Sequence, residues 1–523
     1  MSKIAIYDTT LRDGTQGEGV SFSAEEKLKV ARKLDEFGIA YIEGGWPGSN
    51  PKDVAFFRLA KKVQFSNAKL AAFGSTRRAK LAAQDDPQMV KLIEAGTPVV
   101  TIFGKSSDMH VTEVFRISLE QNLDMIRDSI KFLVDNGKEA IFDAEHFFDG
   151  HKRNREYALA TLDAAVKGGA STLSLCDTNG GALPSEVGEI VRDVVKTFKG
   201  VTVAMHAHND SGLATANSVA AVQNGASQVQ GTINGYGERC GNANTCAIIP
   251  ILEIKLGLEC VPDGALAEIT ALSRWVDEIA NRIPDDRMPF VGASAFAHKA
   301  GVHVDAVTKN PATYEHIDPS VVGNRRRILI SELAGSSSVI QKARKYEVDL
   351  TKQSPEVKAV LDRVVKLENE GYSFEDAEAS FELLLKKAMG QYKKLFDLVG
   401  FRIIVEKRGP GEEPITEATL KVAVDGVEAF TVAEGDGPVH ALDNALRLAL
   451  RQFYGPQLAA IKLTDYKVRV VNSDEGTAAK VRTIIESRDA TDAWSTVGVS
   501  TNIIEASWSA LADSVEYGLL RQK

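Results

Sequence analysis

Two histidines separated by a single residue are the pair in this sequence best placed to do chemistry. His206 and His208 end the apolar run VTVAMHAH (201–208). Side chains on a strand alternate between its two faces, so both imidazoles point the same way and can share one metal ion. Asn209 and Asp210 follow at once, which makes the cluster more polar than a protein core usually tolerates. A pair of hydrogen-bonded core histidines is the alternative interpretation.

Other polar side chains also stand at or just after the ends of apolar runs. They are Arg12, Asp13, Glu43, Glu145, Thr178 and Asn242. The fixed fork of Arg12 could bind a carboxylate or stabilise a developing alkoxide, unless it is an ordinary surface arginine. Thr178 could hold a carboxylate or could cap a helix. Glu145 could transfer a proton or could be an ion-pair partner.

The elements that would position these residues are eight short apolar runs alternating with amphipathic stretches. The runs are 4–10, 40–45, 70–75, 99–104, 139–145, 172–178, 201–208 and 228–235. Near-continuous apolar strands separated by helices indicate a parallel sheet covered on both faces. Eight such units in about 250 residues predict a (β/α)8 barrel, whose catalytic face is formed by the carboxyl ends of the strands. An open doubly wound sheet is the alternative, but the first turn, 10–14, lacks the glycine-rich fingerprint which that fold would need.

Closing the barrel brings distant residues to one side of its mouth. The eighth strand lies between the seventh and the first, so the loop 235–242 falls beside Asp13 and the two histidines. Asp13, His206, His208 and Asn242 then supply two nitrogen and two oxygen donors. Mixed ligation with open positions suits a divalent Mg, Mn, Co or Zn ion acting as a Lewis acid. A bidentate 2-oxo acid would fill two of those positions.

Composition excludes several classes of protein. The chain has 523 residues, 44% hydrophobic and 25% charged, with a formal net charge of −9. An acidic chain has no overall attraction for nucleic acid or anionic lipid, and no apolar run reaches the roughly 20 residues that span a bilayer. Four scattered cysteines and no signal-peptide pattern at the N-terminus predict a cytoplasmic protein with reduced thiols.

Beyond the barrel the rhythm changes twice. We expect an α/β barrel over 1–270, a mainly helical linker over 271–395 and a C-terminal α+β domain over 396–523. In the last of these, strands at 400–406 and 418–424 precede a helix, and strands at 466–472 and 480–486 precede a loop and a helix over 503–521. Ala441, Ala445 and Leu446 recur 65 residues later as Ala506, Ala510 and Leu511, which indicates a duplicated unit. Without a catalytic cluster, this domain is expected to serve regulation or dimerisation.

Four segments together resemble a known family. They are DTTLRDGTQ (8–16), HAHNDSGLATANS (206–218), GYGERCGNA (235–243) and AGVHVDA (300–306). The chain is similar to the metal-dependent Claisen-condensing synthases, which include the 2-isopropylmalate, homocitrate and citramalate synthases. GDGPVHALDNAL (435–446) resembles that family's allosteric domain. EGGWPGSNPKD (43–53) and DAEHFFDG (143–150) resemble the citramalate synthase branch.

The resemblance implies a reaction and a set of roles. Asp13, His206 and His208 would bind the divalent metal, with Asn242 close or ligating. Arg12 would polarise the carbonyl of the 2-oxo acid and Thr178 would hold its carboxylate, while Glu145, His303 and Tyr314 match residues of proton transfer. Acetyl-CoA and pyruvate would give (R)-citramalate and CoA, for isoleucine synthesis, in a homodimer with isoleucine as effector. The alternatives are a 2-isopropylmalate synthase, which would accept 2-oxoisovalerate, and a non-enzymatic binding protein on the same fold.

Overall fold

The computed structural model describes residues 3–329, 339–340, 354–375, 377–471 and 473–521. Parts of the predicted linker, 330–338 and 341–353, lie outside the described residues. The chain divides into two compact units. The first comprises Met1–Phe296 with Ile317–Arg325, and the second comprises Ala297–His316 with Arg326–Lys523.

The first unit contains the predicted barrel. Eight parallel strands close in sequence order, with β1 paired to both β2 and β8. The strands are β1 Ala5–Asp8, β2 Tyr41–Glu43, β3 Lys69–Ser75, β4 Val99–Lys105, β5 Glu139–Glu145, β6 Thr172–Asp177, β7 Thr202–Ala207 and β8 Gln228–Gly231. Each falls inside or within a residue of its predicted apolar run, so the fold class is confirmed.

Helices follow the strands and cover the barrel. They are α1 Ala24–Phe37, α2 Pro51–Ala60, α3 Pro87–Glu94, α4 Leu119–Asp135, α5 Phe147–Arg153, α6 Arg155–Gly168, α7 Pro184–Thr197, α8 Ala214–Gln223, α9 Thr245–Pro250 and α10 Ile269–Ile279. Their ends follow local rules. In α1, Ser23 accepts the backbone N–H of Glu26, and the Glu26 carboxylate accepts the Ser23 N–H, a capping box. The same helix ends at Gly38, whose φ of 97° is the left-handed conformation that glycine adopts without strain.

Strand β7 shows how the alternation of side chains builds the site. Val203, Met205 and Ala207 are buried in the core shared with the helices. His206 and His208 face the interior, as predicted, and line a cavity at the barrel mouth.

The second unit begins with short elements. Strand β9 Ala297–His298 pairs in parallel with β10 Arg327–Ile328, and helix α11 Gly301–Lys309 lies between them in sequence. Helices α12 Pro355–Asn369 and α13 Glu378–Ala388 follow. The strand pair lies in a region that the sequence predicts to be mainly helical.

The rest of the second unit is a duplicated sheet and helix. Its first half contains β11 Asp397–Glu406, β12 Ile415–Val424, β13 Val427–Gly435 and helix α14 Pro438–Ala460. Its second half contains β14 Lys462–Val470, β15 Val481–Arg488, β16 Ala493–Ser500 and helix α15 Ile503–Arg521. Each half is a three-stranded antiparallel sheet with one helix. The prediction of two strands in each half is wrong, because β13 and β16 lie where no strand and a loop are predicted.

Among the described residues, no helix is both long enough and apolar enough to cross a membrane.

Candidate active site

Three predicted metal ligands meet at the mouth of the barrel. Asp13 lies in the turn after β1, and His206 and His208 come from β7. Each offers one ligand atom, and these atoms lie within 4.8 Å of one another. His206 Nε2 is 3.4 Å from Asp13 Oδ2, and all three side chains are buried. This spacing would let one small cation contact all three groups.

The protonation states of the triad suit a divalent cation. Burial lowers the pKa of His206 to about 3 and also lowers the pKa of His208. Burial alone would raise the pKa of Asp13, but its polar neighbours, the Arg12 guanidinium above all, outweigh burial and bring the pKa below its usual value. A carboxylate and two neutral imidazoles are the forms that bind a metal.

Asn242 joins the triad through a single bridge between the backbones of His208 and Asn242. Its Nδ2 donates to the Tyr236 carbonyl at 3.1 Å. Among the described residues, Asn242 Oδ1 and His208 Nδ1 have no hydrogen-bond partner although both are buried. Leaving a buried polar atom unpaired costs about 1–3 kcal/mol. The three facing ligand atoms therefore fit a cation bound here, and Asn242, whose amide also donates a hydrogen bond to Asp13, lies beside them.

Arg12 is held between two carboxylates and an aromatic ring. Its Nη1 is 3.2 Å from Asp13 Oδ2, and its Nε donates to Glu43 Oε1 at 2.5 Å. The guanidinium carbon lies 3.7 Å from the centre of the Phe73 ring. Only 12% of the Arg12 side chain is exposed, so the alternative of a surface arginine is excluded.

Glu43 holds Arg12 in place by accepting the hydrogen bond from its Nε. It is fully buried, and the Tyr7 hydroxyl donates to its Oε2 at 2.6 Å. Burial raises the pKa of Glu43, while Arg12 opposes that rise more than any other group. The guanidinium is therefore the group that most favours the ionised form of this carboxyl.

Thr178 follows β6 and reaches the same cavity. Its Oγ1 accepts the backbone N–H of His146 at 2.8 Å. Because one lone pair is occupied in this way, the hydroxyl hydrogen is free to be donated to another group, such as a carboxylate. The next helix begins at Pro184 with Leu183 as its N-cap, so Thr178 is not a helix cap.

Glu145 ends β5 and forms an ion pair with Lys105 from the end of β4. The Glu145 side chain also lines the cavity. Glu145 thus forms an ion pair and also lies where it could transfer a proton, the two alternatives that the sequence leaves open.

The cavity has a volume of about 230 Å³. One side carries the polar groups, and the other is an aromatic wall of Trp46, Phe73 and Phe103. Trp46 packs edge-on against both phenylalanines, each at 5.7 Å between ring centres, and Phe73 stacks on Phe103 at 5.6 Å. Rings in mutual contact leave little freedom to move aside, so this wall limits what the cavity can hold.

Arg239 ties three loops of the mouth together. It lies in the loop after β8 and forms two contacts to Asp210 after β7, Nε–Oδ1 at 2.7 Å and Nη2–Oδ2 at 3.0 Å. Its Nη2 also donates to the Thr178 carbonyl at 2.8 Å. One guanidinium therefore fixes the segments that carry Thr178, His208 and Asn242.

Several residues of the site have no predicted role from the sequence alone. Glu43 is predicted at a strand end, but its contact with Arg12 is not predicted. The residues that are not predicted as part of the site at all are Asp143, Gln230, Trp46, Phe103 and Arg239. The alternation along β8 could have indicated Gln230, because QVQG (228–231) places Gln228 and Gln230 on one face. The alternation along β5 likewise puts Asp143 on the face of Glu145.

His303 and Tyr314 belong to the second unit. Their rings lie 4.2 Å apart between centres, with an angle of 30° between the ring planes. The structure brings these two residues together, and neither is among the described residues that line the barrel cavity. Their roles stay predictions.

Comparison with known proteins covers nearly the whole chain. The family models that match are "HMGL-like" over residues 3–276, "Homocitrate synthase post-HMGL domain-like" over 290–372 and "LeuA allosteric (dimerisation) domain" over 375–519. The (R)-citramalate synthase of Aquifex aeolicus is 55% identical over 521 residues, 100% of this chain and 98% of the relative. That of Geobacter sulfurreducens is 54% identical over 99% of this chain and 98% of the relative. A 2-isopropylmalate synthase of Lysinibacillus sphaericus is 32% identical over 100% of this chain and 99% of the relative.

Proposed function

The chain belongs to the HMGL-like family and, along its full length, to the (R)-citramalate synthases within it, and from this we propose its reaction. Acetyl-CoA, pyruvate and water give (R)-citramalate and CoA. A carbon–carbon bond forms between the acetyl methyl carbon and the pyruvate carbonyl carbon, the methyl group loses a proton, and water cleaves the thioester. The resemblance to 2-isopropylmalate synthases is more distant, which favours pyruvate over 2-oxoisovalerate as acceptor.

One observation carries the proposal. A single cavity of about 230 Å³ is bordered by a cluster of side chains that could hold a metal. The same cavity is bordered by the Arg12 guanidinium and the Thr178 hydroxyl. Asp13, His206 and His208, with Asn242 beside them, would hold a divalent Mg, Mn, Co or Zn ion. When bound, such an ion acts as a Lewis acid that polarises a carbonyl.

The chain's own residues would orient the 2-oxo acid. Thr178 can donate its hydroxyl hydrogen to the carboxylate, because its oxygen already accepts the His146 N–H. Arg12 presents guanidinium donors where negative charge develops on the former carbonyl oxygen. Glu43 and the Phe73 ring hold that guanidinium in place.

Proton transfer at the acetyl methyl group is assigned to three residues. Glu145 borders the cavity and is paired with Lys105, and its carboxylate is proposed as the group that accepts the proton. His303 and Tyr314 are proposed as its partners on the strength of the resemblance and of their mutual contact.

The aromatic wall supports pyruvate as the acceptor. Trp46, Phe73 and Phe103 border the cavity with rings packed on one another. We propose that the side chain of the acceptor faces this wall, where a methyl group adds little bulk and the isopropyl group of 2-oxoisovalerate brings two more carbons against the packed rings. Forcing extra carbons into a packed space costs about 1–3 kcal/mol.

We also propose that the C-terminal domain pairs two copies of the chain and binds isoleucine as a feedback effector. The match to an allosteric, dimerisation domain supports this. The helix α14 begins after Gly437 without a side-chain cap, so its first free N–H groups could donate hydrogen bonds to a carboxylate. Calorimetric titration with isoleucine, with leucine as comparison, tests the effector, and sedimentation tests the dimer. A full-length enzyme that neither binds nor responds to isoleucine would leave dimerisation as the domain's role.

The decisive experiment measures CoA release by the full-length protein with acetyl-CoA and a panel of 2-oxo acids. We expect pyruvate to give the highest kcat/KM, with 2-oxobutanoate and 2-oxoisovalerate progressively lower. Comparable values for pyruvate and 2-oxoisovalerate would defeat the acceptor assignment. No CoA release with any acid, in the presence of added Mg²⁺ or Mn²⁺, would defeat the enzymatic function itself.

A further inference from the structure

A chain of buried side chains runs from the barrel interior to one proposed metal ligand. Gln230 on β8 is the neighbour of His206 in the β7–β8 pairing. Gln230 Oε1 lies 3.0 Å from His206 Nδ1, and Gln230 Nε2 donates to Asp143 Oδ1 at 3.0 Å. All three side chains are buried, so water does not compete for these bonds.

The direction of each hydrogen bond follows from Asp143. A carboxyl group, whether ionised or protonated on its other oxygen, offers Oδ1 only as an acceptor. In either of these forms of Asp143, the Gln230 atom facing it is the amide nitrogen, as the structure has it, and the atom facing His206 is the amide oxygen. An amide oxygen can only accept, so the proton of the neutral imidazole must sit on Nδ1.

The opposite arrangement would change the chemistry of His206. If the Gln230 amide were reversed, its NH2 group would face Nδ1, and the imidazole proton would move to Nε2. Nε2 lies 3.4 Å from Asp13 Oδ2, so this N–H would point at the carboxylate. The ring would then donate to Asp13 and could not offer Nε2 as a ligand.

We infer that Asp143 and Gln230 form a relay which fixes the His206 tautomer with Nε2 free to bind the metal ion. Both are positioning residues, since they act through His206. The inference rests on the proposed metal site and is independent of which 2-oxo acid the enzyme accepts. Partners of this kind typically change metal affinity about 10- to 100-fold when they are removed.

The chain offers a matched control on the same strand. Gln228 lies two residues before Gln230 on β8, on the same face, and is equally buried. Its Oε1 has no hydrogen-bond partner among the described residues. Gln228→Leu thus makes the same side-chain change in a similar environment without touching a proposed ligand.

The test is calorimetric titration of Mn²⁺ into full-length protein from which metal has been removed by chelation. We expect Gln230→Leu to raise the Kd for Mn²⁺ about 10- to 100-fold, while Gln228→Leu leaves it unchanged. Asp143→Asn should raise the Kd by less than Gln230→Leu does, because an asparagine can present either its amide oxygen or its amide nitrogen to Gln230. In the Gln230→Leu background, Asp143→Asn should cause no further change in the Kd. An unchanged Kd in Gln230→Leu, an equal effect of Gln228→Leu, or additive effects of the two relay variants would overturn the relay.

A second measurement does not depend on the Gln230 and Asp143 variants folding. Imidazole ¹⁵N shifts of the native, metal-depleted protein report which ring nitrogen carries the proton, and the His206 signals are identified by their loss in His206→Ala. We expect a protonated Nδ1 and an unprotonated Nε2, and the reverse would overturn the relay. Native protein that binds no Mn²⁺ would instead refute the proposed metal site.

Discussion

Removing the Arg12 guanidinium should damage activity and stability for two separable reasons. In Arg12→Met, the cavity loses the donors proposed to meet the developing alkoxide. The same change leaves Glu43, which is fully buried, with the Tyr7 hydroxyl but without its cationic partner.

The two losses have different magnitudes. Removing one preorganised donor at a developing oxyanion lowers kcat by about 10²- to 10³-fold. Breaking a buried ion pair by deleting one partner costs about 3–5 kcal/mol of folding free energy, because the remaining charge is buried alone. Glu43 has a pKa raised by burial even with Arg12 present, so without Arg12 the protonated form gains further. A group with a raised folded-state pKa loses stability as pH rises through that pKa, so the defect of Arg12→Met should be larger at pH 8 than at pH 5.

A second substitution separates the effects. Arg12→Met with Glu43→Gln removes the buried charge, so most of the lost stability should return. The part of the stability defect that differs between pH 5 and pH 8 should vanish, while kcat stays low. CoA release measures activity, and urea unfolding at pH 5 and pH 8 measures stability. Recovery of activity in the double variant, or equal stability of the single and double variants, would refute the reasoning.

Three other expectations follow from the same geometry. His206→Ala should remove most activity and bound divalent metal while the barrel stays folded; wild-type metal content by mass spectrometry together with wild-type turnover would show that it is no ligand. Phe103→Ala opens the aromatic wall and should raise kcat/KM for 2-oxoisovalerate relative to pyruvate about 10- to 200-fold, the effect of a methylene or two; an unchanged ratio would place the selectivity elsewhere. Burial raises the pKa of Asp513 to about 6, so its ionised form opposes folding as pH rises through that value. Asp513→Asn should therefore raise the thermal unfolding temperature at pH 8 but not at pH 4, and a stabilisation of equal size at both would count against this.

The barrel could be predicted because its signal is local. Each strand is a short apolar run, and eight runs alternating with helices admit few folds. The same alternation placed both histidines of β7 on the interior face, and the order of strands in a closed barrel brought Asp13 beside them. Periodicity and closure thus sufficed to bring the principal ligand candidates together.

Contacts across the barrel interior could not be predicted in this way. Asp143 on β5 meets Gln230 on β8, two strands that are not neighbours in the sheet. Their contact depends on side-chain reach and strand stagger, which no local pattern records. Arg12 meeting Glu43 depends in the same way on how the turn after β1 folds over the end of β2.

The two missed strands of the C-terminal domain have another cause. β13 carries Glu428 and Glu434 among its apolar residues, and glutamate is depleted in strands, which weakens the signal of this strand. β16 contains Gly498, a weak strand former. A Cβ at this position would meet the Ala506 carbonyl oxygen of α15 at 2.1 Å, so the close approach of the helix requires the glycine.

The residues with different proposed roles come from two different arcs of the barrel. The metal-ligand candidates and the hydroxyl of Thr178 come from β6, β7, β8 and β1, whereas the aromatic wall comes from β2, β3 and β4. Arg239 binds the loops of the first arc to one another without touching the second. Inherited changes at Trp46 or Phe103 can therefore alter which acceptor is admitted, whereas Phe73 also packs on the Arg12 guanidinium and belongs to the chemical machinery as well. Such a barrel can diversify its substrates over evolutionary time without reinventing its reaction.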